Sequence, residues 1–177
     1  PGPGFGGACF PKDLQALLSL SQEHSVTMET LQAAIKANKN QKERIGEKLD
    51  KLIPGGIAGK KIAILGLAFK ANTDDVRESS SIDLIKFILN QGGFVNAYDP
   101  IANESMAKIF NNIHYSDNVY DTVDEADALV IMTEWNEFRA LDLKRVKKSM
   151  RNNYVLDTRN ILNMKELSEQ GFVYDNI

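Results

Sequence analysis

The sequence predicts an α/β fold: a doubly wound, mostly parallel six-stranded sheet preceded by a long connecting helix. Two observations carry this. From Lys61 onward, short apolar runs alternate with helical segments, the pattern of βα units feeding one parallel sheet. Ahead of them, residues 28–52 place Met28, Leu31, Ala34, Ile35, Ile45, Leu49 and Leu52 mostly three or four apart, the spacing of one helix face.

Taken in order, Leu14, Leu17, Leu18 and Leu20 form a short apolar helix, interrupted at Ser25-Val26-Thr27. Thr27 and Thr30 are candidate caps for the long helix. Between Ile35 and Ile45 that helix is polar (Lys36, Asn38, Lys39, Asn40, Gln41, Lys42), a composition that reads as a solvated face. Pro54-Gly55-Gly56 ends it and marks a boundary. Lys61-Ile62-Ala63-Ile64-Leu65-Gly66-Leu67 is a short continuous apolar run with β-branched residues, a buried strand. Ser80 or Ser81 caps a helix carrying Ile82, Leu84, Ile85, Phe87, Ile88 and Leu89, which Gln91-Gly92-Gly93 closes.

Residues 94–98 form the second strand, stopped by Asp99-Pro100, and 106–110 a helix. Strands follow at 113–115 and 128–132, a basic helix at 143–150, a strand at 154–156, a helix at 164–167 and a sixth strand at 172–174. Six such strands suit a Rossmann-like order 3-2-1-4-5-6, in which ligands bind at the carboxyl ends of the strands. That rule selects Gly66 to Lys70, Asp99, Thr133-Glu134-Trp135 and Asp157-Thr158-Arg159.

Bulk properties narrow the function. A length of 177 residues accommodates one domain plus an appendage. A formal net charge of -3 offers no electrostatic footprint for nucleic acid. No apolar run approaches the ~18 residues of a membrane span. One cysteine excludes an intrachain disulfide and suits a reducing, cytoplasmic setting. His24 and His114 match no metal-ligand spacing, so no metal is expected.

The only cysteine stands in Gly4-Phe5-Gly6-Gly7-Ala8-Cys9-Phe10-Pro11-Lys12-Asp13. Glycines let backbone approach a ligand closely. A nearby cation favours the thiolate, which is the nucleophile. A core cysteine requires neither the glycine cluster nor the Lys12-Asp13 pair, so the stretch reads as a nucleophilic cysteine on a Gly-rich loop. After the first predicted strand comes a long polar loop, residues 70–80, without a GxGxxG fingerprint. Lys70 and the helix N-terminus behind it could still hold a diphosphate. Asp99 before Pro100 reads as a turn. Arg159 suits phosphate or carboxylate, with an ion pair to Asp157 as the plain alternative.

The cysteine stretch resembles the active-site motif of the nucleotide-sugar dehydrogenase family, UDP-glucose 6-dehydrogenase type, with Ala8 where the family usually has Ser. The resemblance continues at Phe69-Lys70-Ala71-Asn72-Thr73-Asp74-Asp75-Val76-Arg77-Glu78-Ser79-Ser80, at Tyr98-Asp99-Pro100 and at Asp157-Thr158-Arg159. It implies the C-terminal part of a longer enzyme: residues 1-13 an active-site cysteine loop, 14-53 a connecting helical segment that dimerises, and 60-177 a UDP-binding Rossmann-like domain, with the NAD-binding domain lying N-terminal to this chain. The implied reaction is a two-step oxidation of UDP-glucose to UDP-glucuronate with NAD as cofactor. Cys9 would form a thiohemiacetal and then a thioester, with Lys12 stabilising charge and Asp13 positioning water.

Gly4, Phe5, Gly6, Phe69, Lys70 and Arg159 would bind the UDP-sugar, and Cys9, Lys12 and Arg77 the cofactor. The implied partners are the UDP-sugar and a second copy across the connecting helix, with no nucleic acid and no membrane. A GDP-mannose or UDP-N-acetyl-hexosamine dehydrogenase, and a non-catalytic nucleotide-binding module, are the alternatives. The 177 residues alone are expected not to turn over substrate, and the cysteine stretch is expected to fray as a chain end.

Overall fold

The computed structural model describes residues 2–177; Pro1, the first residue of the expected cysteine loop, lies outside the described residues. An extended segment leads into α1 (Phe10–Glu23). This helix begins ahead of the expected start at Leu14. Pro11 sits in its first turn, where a missing N–H costs nothing, and Asp13 N closes that turn onto Cys9 O at 2.8 Å. The long helix α2 (Glu29–Leu52) begins after Met28 with no side-chain cap, so neither Thr27 nor Thr30 serves. Its later turns bury Ile45 and Leu49 completely. Gly46 is required there, because a Cβ would stand 2.5 Å from the Phe87 ring.

The chain then alternates: β1 (Lys61–Leu65), α3 (Ser80–Asn90), β2 (Phe94–Tyr98), α4 (Asn103–Ala107), β3 (His114–Tyr115), α5 (Val119–Val123), β4 (Ala128–Ile131), α6 (Asn136–Arg139), α7 (Leu143–Ser149), β5 (Tyr154–Asp157), α8 (Met164–Glu169) and β6 (Val173–Asn176). All neighbouring strands are parallel, in the order β3-β2-β1-β4-β5-β6. The predicted doubly wound sheet, with its long preceding helix, is therefore the fold.

Strand β1 shows how the two faces are filled. Ile62 and Ile64 join one apolar cluster with Ile45, Leu49, Leu84 and Ile88 from α2 and α3. Ala63 and Leu65 point the other way, into a cluster with Val123, Phe138, Val146 and Leu167. The strand is apolar throughout because helices cover both sides.

Several local expectations are corrected. Ser79, not Ser80 or Ser81, caps α3, its side chain accepting from Ser81 N; the next two hydroxyls are committed elsewhere. The helix expected at 106–110 is α4, displaced toward Asn103, and Phe110 lies beyond its end. Helices α5 and α6 carried no periodic signal, being one turn or slightly more. Strand β6 sits slightly beyond its expected place, at Val173–Asn176. Among the described residues, no helix is long and apolar enough to cross a membrane.

Candidate functional site

The carboxyl edge of the sheet is organised by Asp99, 1% exposed at the end of β2. Its Oδ2 accepts from Leu67 N at 2.7 Å, Ala68 N at 3.1 Å and Trp135 Nε1 at 3.1 Å. Its Oδ1 accepts from Ile101 N and Ala102 N. The turn reading of Asp99 thus holds, with a larger consequence: one carboxylate joins the ends of β1, β2 and β4. Thr133 Oγ1 donates to Ala68 O at 2.7 Å and Arg159 Nη2 to Phe69 O at 3.0 Å. The loop carrying Phe69 and Lys70 is therefore held from three neighbouring strand ends. Lys70 Nζ stands 5.2 Å from the centre of the Phe69 ring, so cation and ring present one surface.

Against this loop lies the cysteine stretch, tied down by hydrogen bonds along its length. Ser80 Oγ donates to Pro3 O at 2.8 Å and Gln41 Nε2 to Gly2 O at 2.9 Å. Asn38 donates to Phe5 O and accepts from Phe5 N. Gly7 N donates to Arg77 O at 2.9 Å. The glycines are required by proximity: a Cβ on Gly6 would stand 2.2 Å from Glu78 O, and one on Gly7 2.9 Å from the Phe69 ring. The polar stretch of α2 is therefore solvated on one side only, where Lys36, Lys39 and Asn40 are exposed. Asn38 and Gln41 grip the cysteine stretch, and Lys42, 8% exposed, donates to Glu78 O at 2.9 Å. Burying these polar groups is tolerated because each finds a partner.

Cys9 is exposed at the head of α1. Lys12 and Asp13 follow it at the third and fourth positions of the first turn, so the three side chains share one helix face. A cleft of about 640 Å³ adjoins Lys12, lined by Gly7, Ala8, Pro11, Lys12, Gln15, Arg77 and Glu78, with Cys9 next to Ala8 at its border. Arg77 is largely solvent-facing and forks onto Asp75, with Nε at 2.9 Å and Nη2 at 2.8 Å from its oxygens. That hydrogen-bonded pair holds the Asp75 carboxyl below its usual pKa and raises that of Arg77, to which a Cys9 thiolate adds a smaller push.

Arg159 is largely buried under the Phe69 loop. Its guanidinium does not pair with Asp157, whose oxygens accept from the backbone N–H groups of Arg159, Ile161 and Leu162. Instead Nε donates to Met132 O at 2.8 Å and lies 3.0 Å from Glu134 Oε2. The Nε–H is spent on the carbonyl, which leaves Glu134 Oε2 an ionic contact without an aligned hydrogen bond. Burial lowers the Arg159 pKa, and Glu134 with Asp157 pulls the other way.

The fold thus joins the cysteine stretch to the loop after β1 through Gly6 and Gly7 against Phe69, Arg77 and Glu78, sets Lys12 and Arg77 on one cleft, and places Lys70 and Arg159 against Phe69, while Gly4 and Phe5 are held by α2. Sequence reasoning missed Asn38, Gln41 and Lys42, whose partners are backbone carbonyls of other segments, and Glu134 as the Arg159 partner. Among the described residues, no group of three His, Cys, Asp or Glu could hold a metal ion.

Residues 63–164 match the family model described as UDP-glucose/GDP-mannose dehydrogenase family, UDP binding domain. Residues 1–40 match that family's central domain. A UDP-glucose 6-dehydrogenase of Rhizobium meliloti is 42% identical over 176 residues, covering 99% of this chain and 40% of that protein. A UDP-glucose dehydrogenase from Pyrobaculum islandicum superimposes with a TM-score of 0.83 at 30% identity, covering 98% of this chain and 38% of that one. A UDP-D-ManNAc dehydrogenase from Pyrococcus horikoshii gives the same TM-score and identity, covering 100% of this chain and 39% of its own. The chain spans about two fifths of the length of the curated relatives it matches.

Proposed function

The chain belongs to the UDP-glucose/GDP-mannose dehydrogenase family, and on that premise we propose that it carries the UDP-binding half and the cysteine nucleophile of an NAD-dependent UDP-glucose 6-dehydrogenase. In this reading residues 1-13 are the cysteine loop, 14-53 the connecting segment and 60-177 the UDP-binding unit. One observation carries the proposal: the Gly-rich cysteine stretch is bonded onto the β1–α3 loop, through Gly7 N to Arg77 O and the close contact of Gly6 with Glu78 O. A nucleophile and a loop built for a nucleotide sugar then form one wall.

The UDP-sugar would lie along the carboxyl edge, its diphosphate toward Lys70 and Arg159, its ring against Phe69 and the Gly4 to Gly6 backbone. At the β2 end, a dinucleotide fold places an acid against ribose hydroxyls. Asp99 occupies that position with both oxygens spent on backbone amides and Trp135. This edge therefore favours the UDP-sugar, and the outward cleft beside Cys9, with the Lys12 and Arg77 cations, suits the phosphates of NAD. When bound, NAD takes a hydride at each of the two oxidations.

The residues of this chain serve the second oxidation. The Cys9 sulfur adds to the C6 aldehyde and holds it as a thiohemiacetal. The oxidised acyl group then rests on Cys9 as a thioester. Asp13, one turn along the same face, takes a proton from the attacking water, and Lys12 steadies the developing negative charge. Curated relatives named UDP-glucose 6-dehydrogenase support glucose as the sugar. The equal likeness to the UDP-D-ManNAc enzyme makes a UDP-N-acetyl-hexosamine the second reading. Exposed Leu17, Leu20 and Val26 beside α2 support self-association along the connecting segment.

The test is Cys9→Ala in an enzyme of the relatives' length that carries these residues. Loss of UDP-glucuronate formation is expected. Undiminished product would refute Cys9 as the nucleophile.

A further inference from the structure

We propose that Lys42 is a positioning residue that sets Arg77 beside Cys9 by locking the Glu78 peptide. Lys42 lies in the polar stretch of α2 and is 8% exposed, yet it is remote from the cysteine in sequence and does not line the cleft beside it. Its ammonium donates to Glu78 O at 2.9 Å, stands 3.3 Å from Glu78 Oε2, and lies 3.7 Å from Asp83 Oδ2.

Glu78 takes a left-handed backbone, φ 53°, that a non-glycine residue adopts only when its surroundings impose it. Two contacts impose it here. The carbonyl oxygen sits so close to Gly6 that a Cβ there would be 2.2 Å away, and the Lys42 ammonium holds the same oxygen from the side of α2. Arg77 is the residue just before this joint, and its own carbonyl receives Gly7 N. The Arg77 carbonyl is thus pinned to the cysteine stretch, and the residue that follows it is held by Lys42. Arg77 lines the cleft together with Lys12, and its guanidinium, held by Asp75, lies within reach of the Cys9 charge. Burying an ammonium is costly, and an apolar side chain of similar length would fill the space without that cost. The Glu78 and Asp83 carboxylates offset that cost, and the Glu78 carbonyl takes the hydrogen bond.

The inference rests on Cys9 being the reactive group, and its test is separable from that reading because it needs no turnover. Cys9 is the only cysteine, so alkylation reports one site. Iodoacetate and iodoacetamide attack the same thiolate, so the ionised fraction cancels in the ratio of their rates. What remains is the local potential acting on the iodoacetate anion, set here by Arg77 and Lys12 against Asp13, Asp75 and Glu78.

Lys42→Met is expected to lower the iodoacetate-to-iodoacetamide ratio roughly two- to fivefold, the size of one displaced charge in a solvated cleft. Arg77→Gln should lower it equally, Lys42→Met should add nothing in the Arg77→Gln background, and Lys42→Arg should restore it. An unchanged ratio in folded Lys42→Met overturns the proposal, as do additive effects, which would mean that Lys42 acts through its own field. If Lys42→Met does not fold, Arg77→Gln at its exposed site still decides: an unchanged ratio there overturns the proposal by itself. Retained product formation by Cys9→Ala would instead refute the nucleophile while leaving this ratio intact.

Discussion

Asn38 holds both main-chain polar groups of Phe5: Oδ1 accepts from Phe5 N at 2.7 Å, and Nδ2 donates to Phe5 O at 3.1 Å. This paired contact, made from the middle of α2, keeps the cysteine stretch on the sheet. Each bond contributes about 0.5–1.5 kcal/mol net. Asn38→Ala should therefore cost about 1–2 kcal/mol in urea unfolding. It should also speed hydrogen exchange at the Phe5 and Gly7 amides far more than at the β1 amides. Uniform exchange changes would show that the stretch is not a separately docked unit.

Gly6 faces the Glu78 carbonyl with no room for a methyl group. Gly6→Ala should lift the cysteine stretch rather than disturb the sheet, because residues 2–9 can leave without unpacking the core. The expected loss is about 1–3 kcal/mol, with protease cleavage appearing ahead of α1. Unchanged resistance to proteolysis would contradict the docking.

Asp99 is the joint of the carboxyl edge. Asp99→Ala strands the N–H groups of Leu67, Ala68, Ile101, Ala102 and Trp135. A loss of about 3 kcal/mol or more is expected, with a red shift in the emission of Trp135, the only tryptophan. A small loss with unchanged emission would show that water replaces the carboxylate.

Much of this was legible in the sequence, and the reason differs by element. Strand β1 announced itself because both faces are covered, which makes its five residues a continuous apolar run apart from Lys61. The face shared by Cys9, Lys12 and Asp13 follows from helical spacing alone. Lys42 was illegible because its partner is a backbone carbonyl 36 residues away, and no side-chain pattern marks an acceptor of that kind. Asp99-Pro100 showed its turn, but the bonds from Asp99 to the loop after β1 depend on the strand order. The ion pair of Arg159 with Asp157, the plain alternative that adjacency offers, does not form, because Asp157 turns back onto the amides that follow it and Arg159 lies against Met132 O and Glu134.

Burial pushes the Tyr115 hydroxyl up to about 12, and the hydroxyl donates to Phe110 O at 2.8 Å. The folded pKa lies above the unfolded value near 10, so the native state keeps its proton longer. The stability involved is fully present below about pH 10 and is lost as pH rises toward 12. A rise of this size corresponds to about 3 kcal/mol at full burial, which solvent screening at this half-buried ring cuts to about 1–2 kcal/mol. In urea unfolding between pH 9 and 12, Tyr115→Phe should start less stable and lose its deficit as pH rises. Parallel pH curves for the two proteins would contradict the assignment.

The central claim is that the carboxyl edge built from Phe69, Lys70 and Arg159 receives a UDP-sugar. Calorimetric titration of the chain with UDP tests it most directly, with GDP as the control and Lys70→Ala as the variant. Saturable UDP binding, tighter than GDP and weakened about tenfold by Lys70→Ala, is expected from the loss of one charge-assisted phosphate contact. Absence of saturable UDP binding, or equal binding by the wild type and Lys70→Ala, would contradict the account.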